Sequence, residues 1–204
     1  MFISGAAVTI LASALSLLFG AALGLFVGVM RVVPFKPLQM LAGAYIFVIR
    51  GTPLLIQLFF IYFGLPAVGI NLSAMTAGVI GLSLNSAGYV GEIMRGGIEG
   101  VPAGQWEAGK VLGLSYFGSM RFIILPQAVR AMLPALGNEF VTLIKESSLL
   151  SALAIRELTM VGQQVRSATY ASFETFIIVG AIYLTLTTVT GICLRYLEKK
   201  WSAA

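Results

Sequence analysis

The sequence predicts an all-α integral membrane protein of five transmembrane helices, with the N-terminus outside and the C-terminus in the cytoplasm. Three observations carry that prediction. Of 204 residues, 58% are apolar or aromatic and only 10% are charged, against about 25% charged in an ordinary soluble domain. The apolar residues fall in runs long enough to span a bilayer, which takes roughly 20 residues. Lys and Arg gather in alternate connections, the pattern that orients membrane proteins with their positive loops inside. A mean hydropathy of +0.95 excludes a soluble domain, a disordered tail and a fibrous repeat.

The first span, about 2–30, contains no charge. It lacks a basic leading region and is far longer than the 7–15 apolar residues typical of a signal peptide, so it reads as a retained helix. Gly20, Gly24 and Gly28 repeat at the spacing that lets helices approach closely in lipid. Packing inside this chain explains them better than a seam between copies. The second span, about 38–65, is interrupted by Arg50-Gly51-Thr52-Pro53. Proline cannot donate a backbone hydrogen bond, so the helix kinks or breaks there. The third span is about 72–94, the fourth about 131–154 and the fifth about 172–194. Between the third and fourth lies a loop, about 95–130. No pair of segments repeats and no linker is visible, so residues 1–204 read as one domain.

Nine cationic residues fall on one side of this scheme: Arg31, Lys36, Arg95, Lys110, Arg121, Arg130, Arg195, Lys199 and Lys200. The other side carries only Arg156 and Arg166. The basic side is the cytoplasmic one. The net charge of +5 is therefore read as basic loops, not as a nucleic-acid surface. The chain has no His, no Asp and one Cys, Cys193. Triads built on His, His-ligated metals and an internal disulfide are thereby excluded, and no metal site is expected.

The 95–130 loop is not of floppy composition. Pro102 and Gly104 precede a short helix from Gln105 to Leu112, and Gly113 stands where glycine commonly ends a helix. A second short helix leads to Leu125-Pro126. The first should expose Trp106, Val111 and Leu112, and exposed apolar side chains on a loop suggest a docking surface. Gly104 to Lys110 fits the start of the phosphate-binding GxxxxGK[ST] pattern. The next residue is Val111, without the hydroxyl that holds Mg²⁺, and no strand precedes it. It is read as a chance match.

Polar residues inside the spans are expensive and face protein or a watery cavity. At 100° per residue, Gly78, Gly81, Asn85, Tyr89 and Glu92 share one face of the third span, with Ser86 nearby. Asn138, Glu139, Thr142, Lys145 and Glu146 form a stripe on the fourth. Arg50 sits about 18 Å from Leu38 along the second helix, near mid-bilayer, with Gln57 on the same face seven residues on. These residues can line a pathway for a zwitterion, Arg50 serving a carboxylate and Glu139 or Glu146 an ammonium. Equally, Arg50 and Lys145 can pair with the acids and hold the helices in register.

Glu107-Ala108-Gly109, then Gly113, Ile123 and Leu125-Pro126 match the loop pattern EAA-x3-G-x9-I-x-LP at every position but the third, where Gly109 replaces Ala. In this the chain resembles bacterial ABC importer permeases. Arg50-Gly51-Thr52-Pro53, Leu84-Asn85-Ser86-Ala87-Gly88-Tyr89, Gly137-Asn138-Glu139-Phe140 and Lys145-Glu146-Ser147 are similar to the subfamily for polar amino acids (histidine, arginine, glutamine, glutamate). The resemblance covers nearly the whole chain. It implies the type I ABC importer permease architecture in the bacterial cytoplasmic (inner) membrane. It implies two ATP-binding subunits beneath, a second permease subunit of the same or a homologous chain, and an extracytoplasmic amino-acid-binding protein. ATP and Mg would be bound by the partner ATPase, with no cofactor on this chain. Glu107, Ala108, Gly109, Gly113, Ile123, Leu125 and Pro126 would form the ATPase coupling element. Glu107 would touch the ATPase, and Ala108 and Gly109 would allow its close approach. Many members of that family carry a short extra N-terminal segment, which is expected to be absent or lost here, since this sequence starts almost at its first span. The alternative is a stand-alone amino-acid channel or secondary carrier, which leaves the EAA loop unexplained. A membrane enzyme lacks an obvious triad or metal site.

Overall fold

A computed structural model describes residues 1–202. Of residues 200–202 only the backbone is described, so the predicted Lys200 charge lies outside the described residues. The described chain is built of helices and turns alone: α1 (Phe2–Val32), α2 (Lys36–Gly51), α3 (Leu54–Phe59), α4 (Ala74–Glu99), α5 (Ala103–Val111), α6 (Tyr116–Ser119), α7 (Leu125–Glu146), α8 (Leu158–Thr169) and α9 (Ser172–Ser202). A π turn Phe60–Gly64 and a 3-10 turn Leu65–Val68 continue α3. A second π turn, Met120–Ile124, joins α6 to α7. A 3-10 turn, Ser147–Leu153, follows α7.

α1 and α4 run together along most of their length. Their contact is set by glycine. A Cβ on Gly20, Gly24 or Gly28 would come within 2.9 Å of Ser86, 2.5 Å of Val90 and 2.5 Å of Met94, respectively. Gly91 of α4 returns the contact against Val27. The glycine ladder is thus an internal seam. α7 and the turn after it close the other side, where Leu143, Leu150 and Leu153 join Ala12, Leu58 and Leu82 in one apolar core.

In the run 38–65 the helix breaks rather than kinks: α2 and the α3 segment meet at 104°. Gly51 to Pro53 end one helix in extended backbone and start another. The fourth helix begins at Leu125, not 131, with Pro126 in its first turn, directly after the π turn Met120–Ile124. It ends at Glu146 rather than 154, giving way to the 3-10 turn. The predicted loop 95–130 is correspondingly shorter, since α4 runs on to Glu99.

By length and hydropathy alone, α1 and α9 are able to cross a membrane, and α2 with α3 counts as a third only if the bent pair is one span. α4 and α7 are long enough, at 26 and 22 residues, but carry the polar residues of the candidate site. Large apolar side chains such as Ile3, Phe47, Phe60, Phe173 and Leu184 point outwards, as suits a protein whose solvent is lipid.

Candidate functional site

The coupling-loop motif forms a small, stiff unit. α5 ends in a Schellman motif: Leu114 N–H donates to the Gly109 carbonyl and Gly113 N–H to the Lys110 carbonyl, each at 3.0 Å. Gly113 has φ +75°, the left-handed conformation that favours glycine. Gly109 faces inwards. A Cβ there would lie 2.4 Å from Ser119 Oγ and 3.3 Å from Ile123 Cδ1. Its small size therefore serves packing within the loop, not the approach of a partner, and Ala108 alone is left outside. Trp106 is not exposed as predicted. It stacks on Tyr116 with ring centroids 5.2 Å apart and packs on the cluster around Met94 and Ile124. Tyr116 Oη donates to the Val32 carbonyl at 2.9 Å, tying the loop to the end of α1. Gln127 donates to Gln105 at 3.2 Å. What remains outside is Glu107, Ala108, Lys110, Val111 and Leu112, the last two 87% and 72% exposed. Ile123 and Leu125 are half-buried, and Pro126 is exposed. Gly104 to Lys110 is helical, so the phosphate-loop match is a coincidence of spelling.

The polar residues of the helices divide into two kinds. Gln57 is structural. The bend at Pro53 removes any shared face with Arg50. The Gln57 amide instead donates to the Ile49 carbonyl at 2.8 Å, the Thr52 carbonyl at 3.1 Å and Thr52 Oγ1 at 2.9 Å. It thereby satisfies carbonyls freed by the end of α2. Its own oxygen accepts from Asn85 Nδ2 at 3.1 Å, and Asn85 is 3% exposed. The small face of α4 is also filled: Gly78 meets Leu150 and Ile155, and Gly81 meets Leu58. Glu92 pairs with Arg95, which also holds Glu99.

The other kind is open or unpaired. Arg50 is exposed, its guanidinium 5.3 Å from the centre of the Tyr89 ring, a cation–π distance. No carboxylate pairs with it among the described residues. Ser86 Oγ is buried beside the Glu139 carboxyl of α7, the one group it is placed to engage, without a well-formed hydrogen bond to it. Glu139 is itself 8% exposed. Glu146 is near enough to feel the charges of Glu139 and Lys145. Thr142 is half-buried and Lys145 exposed. Asn138 is the exception in that stripe. It is exposed, in a cleft of α7 and α9 with Gly191 and Arg195.

One functional-looking residue lies outside both predicted sets. Glu157 is fully buried, immediately before α8. Its carboxylate accepts from Thr159 N–H at 2.8 Å and Met160 N–H at 2.7 Å, capping α8. It also accepts from Tyr183 Oη at 2.8 Å. The next N–H, that of Leu158, donates to Thr9 Oγ1 of α1 at 3.2 Å. Burial pushes the Glu157 carboxyl up, and these donors oppose the shift. The available signal was Glu157 before Leu158-Thr159-Met160, an acid at a helix start.

Comparison with known proteins matches this architecture. The family model for "Binding-protein-dependent transport system inner membrane component" fits residues 4–203. A probable glutamine ABC transporter permease protein, GlnM of Bacillus subtilis (strain 168), is 41% identical over 200 residues, 98% of this chain and 93% of its own. The glutamine transport system permease protein GlnP of Escherichia coli (strain K12) is 38% identical over 202 residues, 98% and 92% of the two chains. The arginine transport system permease protein ArtQ of Bacillus subtilis (strain 168) is 37% identical over 199 residues, 97% and 91%. Among solved structures, a chain of an amino acid ABC transporter crystallised with histidines superposes with a TM-score of 0.93 at 44% identity, covering 98% of this chain and 93% of that one. A chain of the MetNI methionine ABC transporter, inward facing, gives 0.83 at 20% identity, covering 98% and 95%, a likeness of fold alone. With the family model spanning residues 4–203 and relatives 37% to 41% identical over almost all of its length, the chain belongs to the binding-protein-dependent transport system inner membrane components, the non-catalytic permease subunits of ABC transporters.

Proposed function

We propose that this chain is the permease subunit of an ATP-driven importer of polar amino acids. It is one transmembrane domain crossing the bacterial inner membrane five times, N-terminus outside, with α2 and α3 making one broken crossing. A second permease, the same chain or a homologue, pairs with it. Two ATPase subunits bind ATP and Mg beneath, and an extracytoplasmic binding protein delivers the amino acid. The observation that carries this is α5. It is a short helix whose inner face is locked to α1, α4 and α7, and whose outer face presents Glu107, Val111 and Leu112. A helix so held can pass a rigid-body movement from an ATPase to the membrane helices, and a flexible loop cannot. Alternating access follows: ATP binding turns the cavity towards the loaded binding protein, and hydrolysis turns it inwards.

The pathway for the amino acid runs by Arg50, Tyr89, Ser86, Glu139, Thr142, Lys145 and Glu146. Arg50 faces the carboxylate, and Glu139 or Glu146 the ammonium. Gln57 and Asn85 hold the broken helix beside it. The test is ATPase activity of the complex in lipid, with its binding protein and arginine, lysine, histidine, glutamine, glutamate or an apolar control. Stimulation by one or two polar amino acids is expected. Transport without any ATPase partner would sink this reading in favour of a channel or carrier.

A further inference from the structure

The connection from the coupling loop to α7 is not regular helix. Met120 to Ile124 form a π turn in which Leu125 N–H donates to the Met120 carbonyl, five residues back. Such a turn holds one residue more than an α turn, and short π segments occur frequently at functional sites. Pro126 follows at once. It has no N–H for the Phe122 carbonyl and its ring crowds that group, and a widened turn relieves both. The other π turn, Phe60–Gly64, is closed the same way by Leu65 on Phe60 and precedes Pro66. Leu133-Pro134 lies within the α-helical part of α7, so the dipeptide alone does not impose the turn.

What distinguishes the turn at 120–124 is its surroundings. Ile123 reaches towards Gly109 of α5. Ile124, the next residue, is fully buried among Met94 and Ile98 of α4 and Ala128 and Met132 of α7. A load on α5 is therefore delivered at the joint between α4 and α7. Beside that joint lies a cavity of about 450 Å³, with Gly96 and Gly97 of α4 and Gly100 just past its end on one wall, and Ala131, Met132 and Ala135 of α7 on the other. A Cβ on Gly96 would meet nothing within 4 Å. At Gly97 the helices already touch, a Cβ there lying 2.3 Å from Met132 Cγ, and the small residues Gly96, Ala131 and Ala135 leave the space beside that contact in which they can close further.

We infer that the π turn Met120–Ile124 is the hinge on which α5 moves α7 relative to α4, and that the α4–α7 cavity is the space this movement takes up. The inference rests on the importer reading and adds to it where the chain bends and what closes. A turn with a surplus residue can bend or pass that residue along the helix without losing its hydrogen bonding. Each one-residue step turns the flanking helix by about 100°.

The experiment uses the whole complex in liposomes, with Gly96→Ala, Gly96→Leu, Pro126→Ala and, as a control at the other π turn, Pro66→Ala. Gly96→Ala and Pro66→Ala should keep uptake and stimulated ATPase. Gly96→Leu wedges the cavity and Pro126→Ala lets the turn relax to regular helix. Both should lose about tenfold or more in stimulated ATPase and uptake, a size usual for coupling between sites, and Gly96→Leu should also keep its ATPase subunits and basal hydrolysis. Normal coupling in both variants overturns the hinge. A second measurement decides the matter if either fails to assemble. Spin labels at Gly104→Cys and Val129→Cys, in a Cys193→Ser background, should change separation between nucleotide-free and ATP-bound complexes, and an unchanged separation overturns the hinge. A wild-type complex without ATP-dependent uptake would instead overturn the importer reading.

Discussion

Gln57 closes a broken helix with one amide. Its NH₂ serves two carbonyls and a hydroxyl at the end of α2, and its oxygen serves the buried Asn85 amide. Gln57→Ala leaves Asn85 without a partner, and a buried group so orphaned costs about 1–3 kcal/mol. Gln57→Glu is worse, because a carboxylate then faces three oxygens. Both variants should lower the melting temperature of the detergent-purified protein with no substrate present, Glu more than Ala. A melting temperature that changes only when amino acid is added would return Gln57 to the pathway. Glu157 poses the opposite problem, a charge in the wrong place for burial. Its carboxyl is raised above the ordinary 4.5 by desolvation, so the folded state holds the proton more tightly than the unfolded state. The stability this provides is complete below pH 4.5 and is lost as pH rises through the raised value. Glu157→Gln should flatten the rise in melting temperature on acidification, and an unchanged pH profile would show that other groups cause it. The side-chain types at 50, 86 and 139 were legible in the sequence as costly in a membrane. The use of Gln57 was not, because helical-wheel geometry stops at a bend of 104°.

At the scale of elements, the glycines at 20, 24 and 28 could be recognised by spacing alone, since a four-residue repeat of the smallest side chain has few other uses in lipid. Spacing could not name their partner; contacts with Ser86, Val90 and Met94 do. At Gly24 the absent Cβ would lie 2.5 Å from Val90 Cβ and 3.0 Å from the Ala87 carbonyl. Gly24→Leu should part α1 from α4 and cost about 1–3 kcal/mol or more by overpacking. Val90→Gly in the same chain removes that Cβ and should restore part of the yield of folded protein. Equal yields with and without Val90→Gly would mean the seam is not where the damage lies. Other elements were hidden for physical reasons. α8 is a short helix between two apolar runs, and hydropathy registers the runs and not the interval. The start of α7, at Leu125, lies six residues ahead of the apolar run at 131 because its first turns carry Gln127 and Arg130, which hydropathy does not register.

At the scale of the whole molecule, movement has to enter through a surface of few residues. α5 has two faces. Trp106 and Gly109, three residues apart, turn inwards onto Tyr116, Ser119 and Ile123. Glu107 and Val111, four apart and so on one side of the helix, turn outwards. A change at Glu107 therefore alters what a partner meets and leaves the loop's own packing alone. Glu107→Lys should preserve the fold, since an exposed charge with no partner among the described residues holds nothing in place. It should abolish uptake and weaken retention of the ATPase subunits, because a cation replaces an anion at the centre of the docking face. Gly109→Leu makes the complementary disturbance: it drives α5 away from Ser119 and Ile123 and should lower the melting temperature of the isolated permease as well as uptake. The two variants separate docking from loop integrity. Measuring melting temperature, ATPase retention and uptake for both gives a pattern that only an outward Glu107 and an inward Gly109 produce. Wild-type uptake in Glu107→Lys would remove α5 from the path of coupling, and with it the reason for reading this loop as the place where ATP acts on the membrane helices.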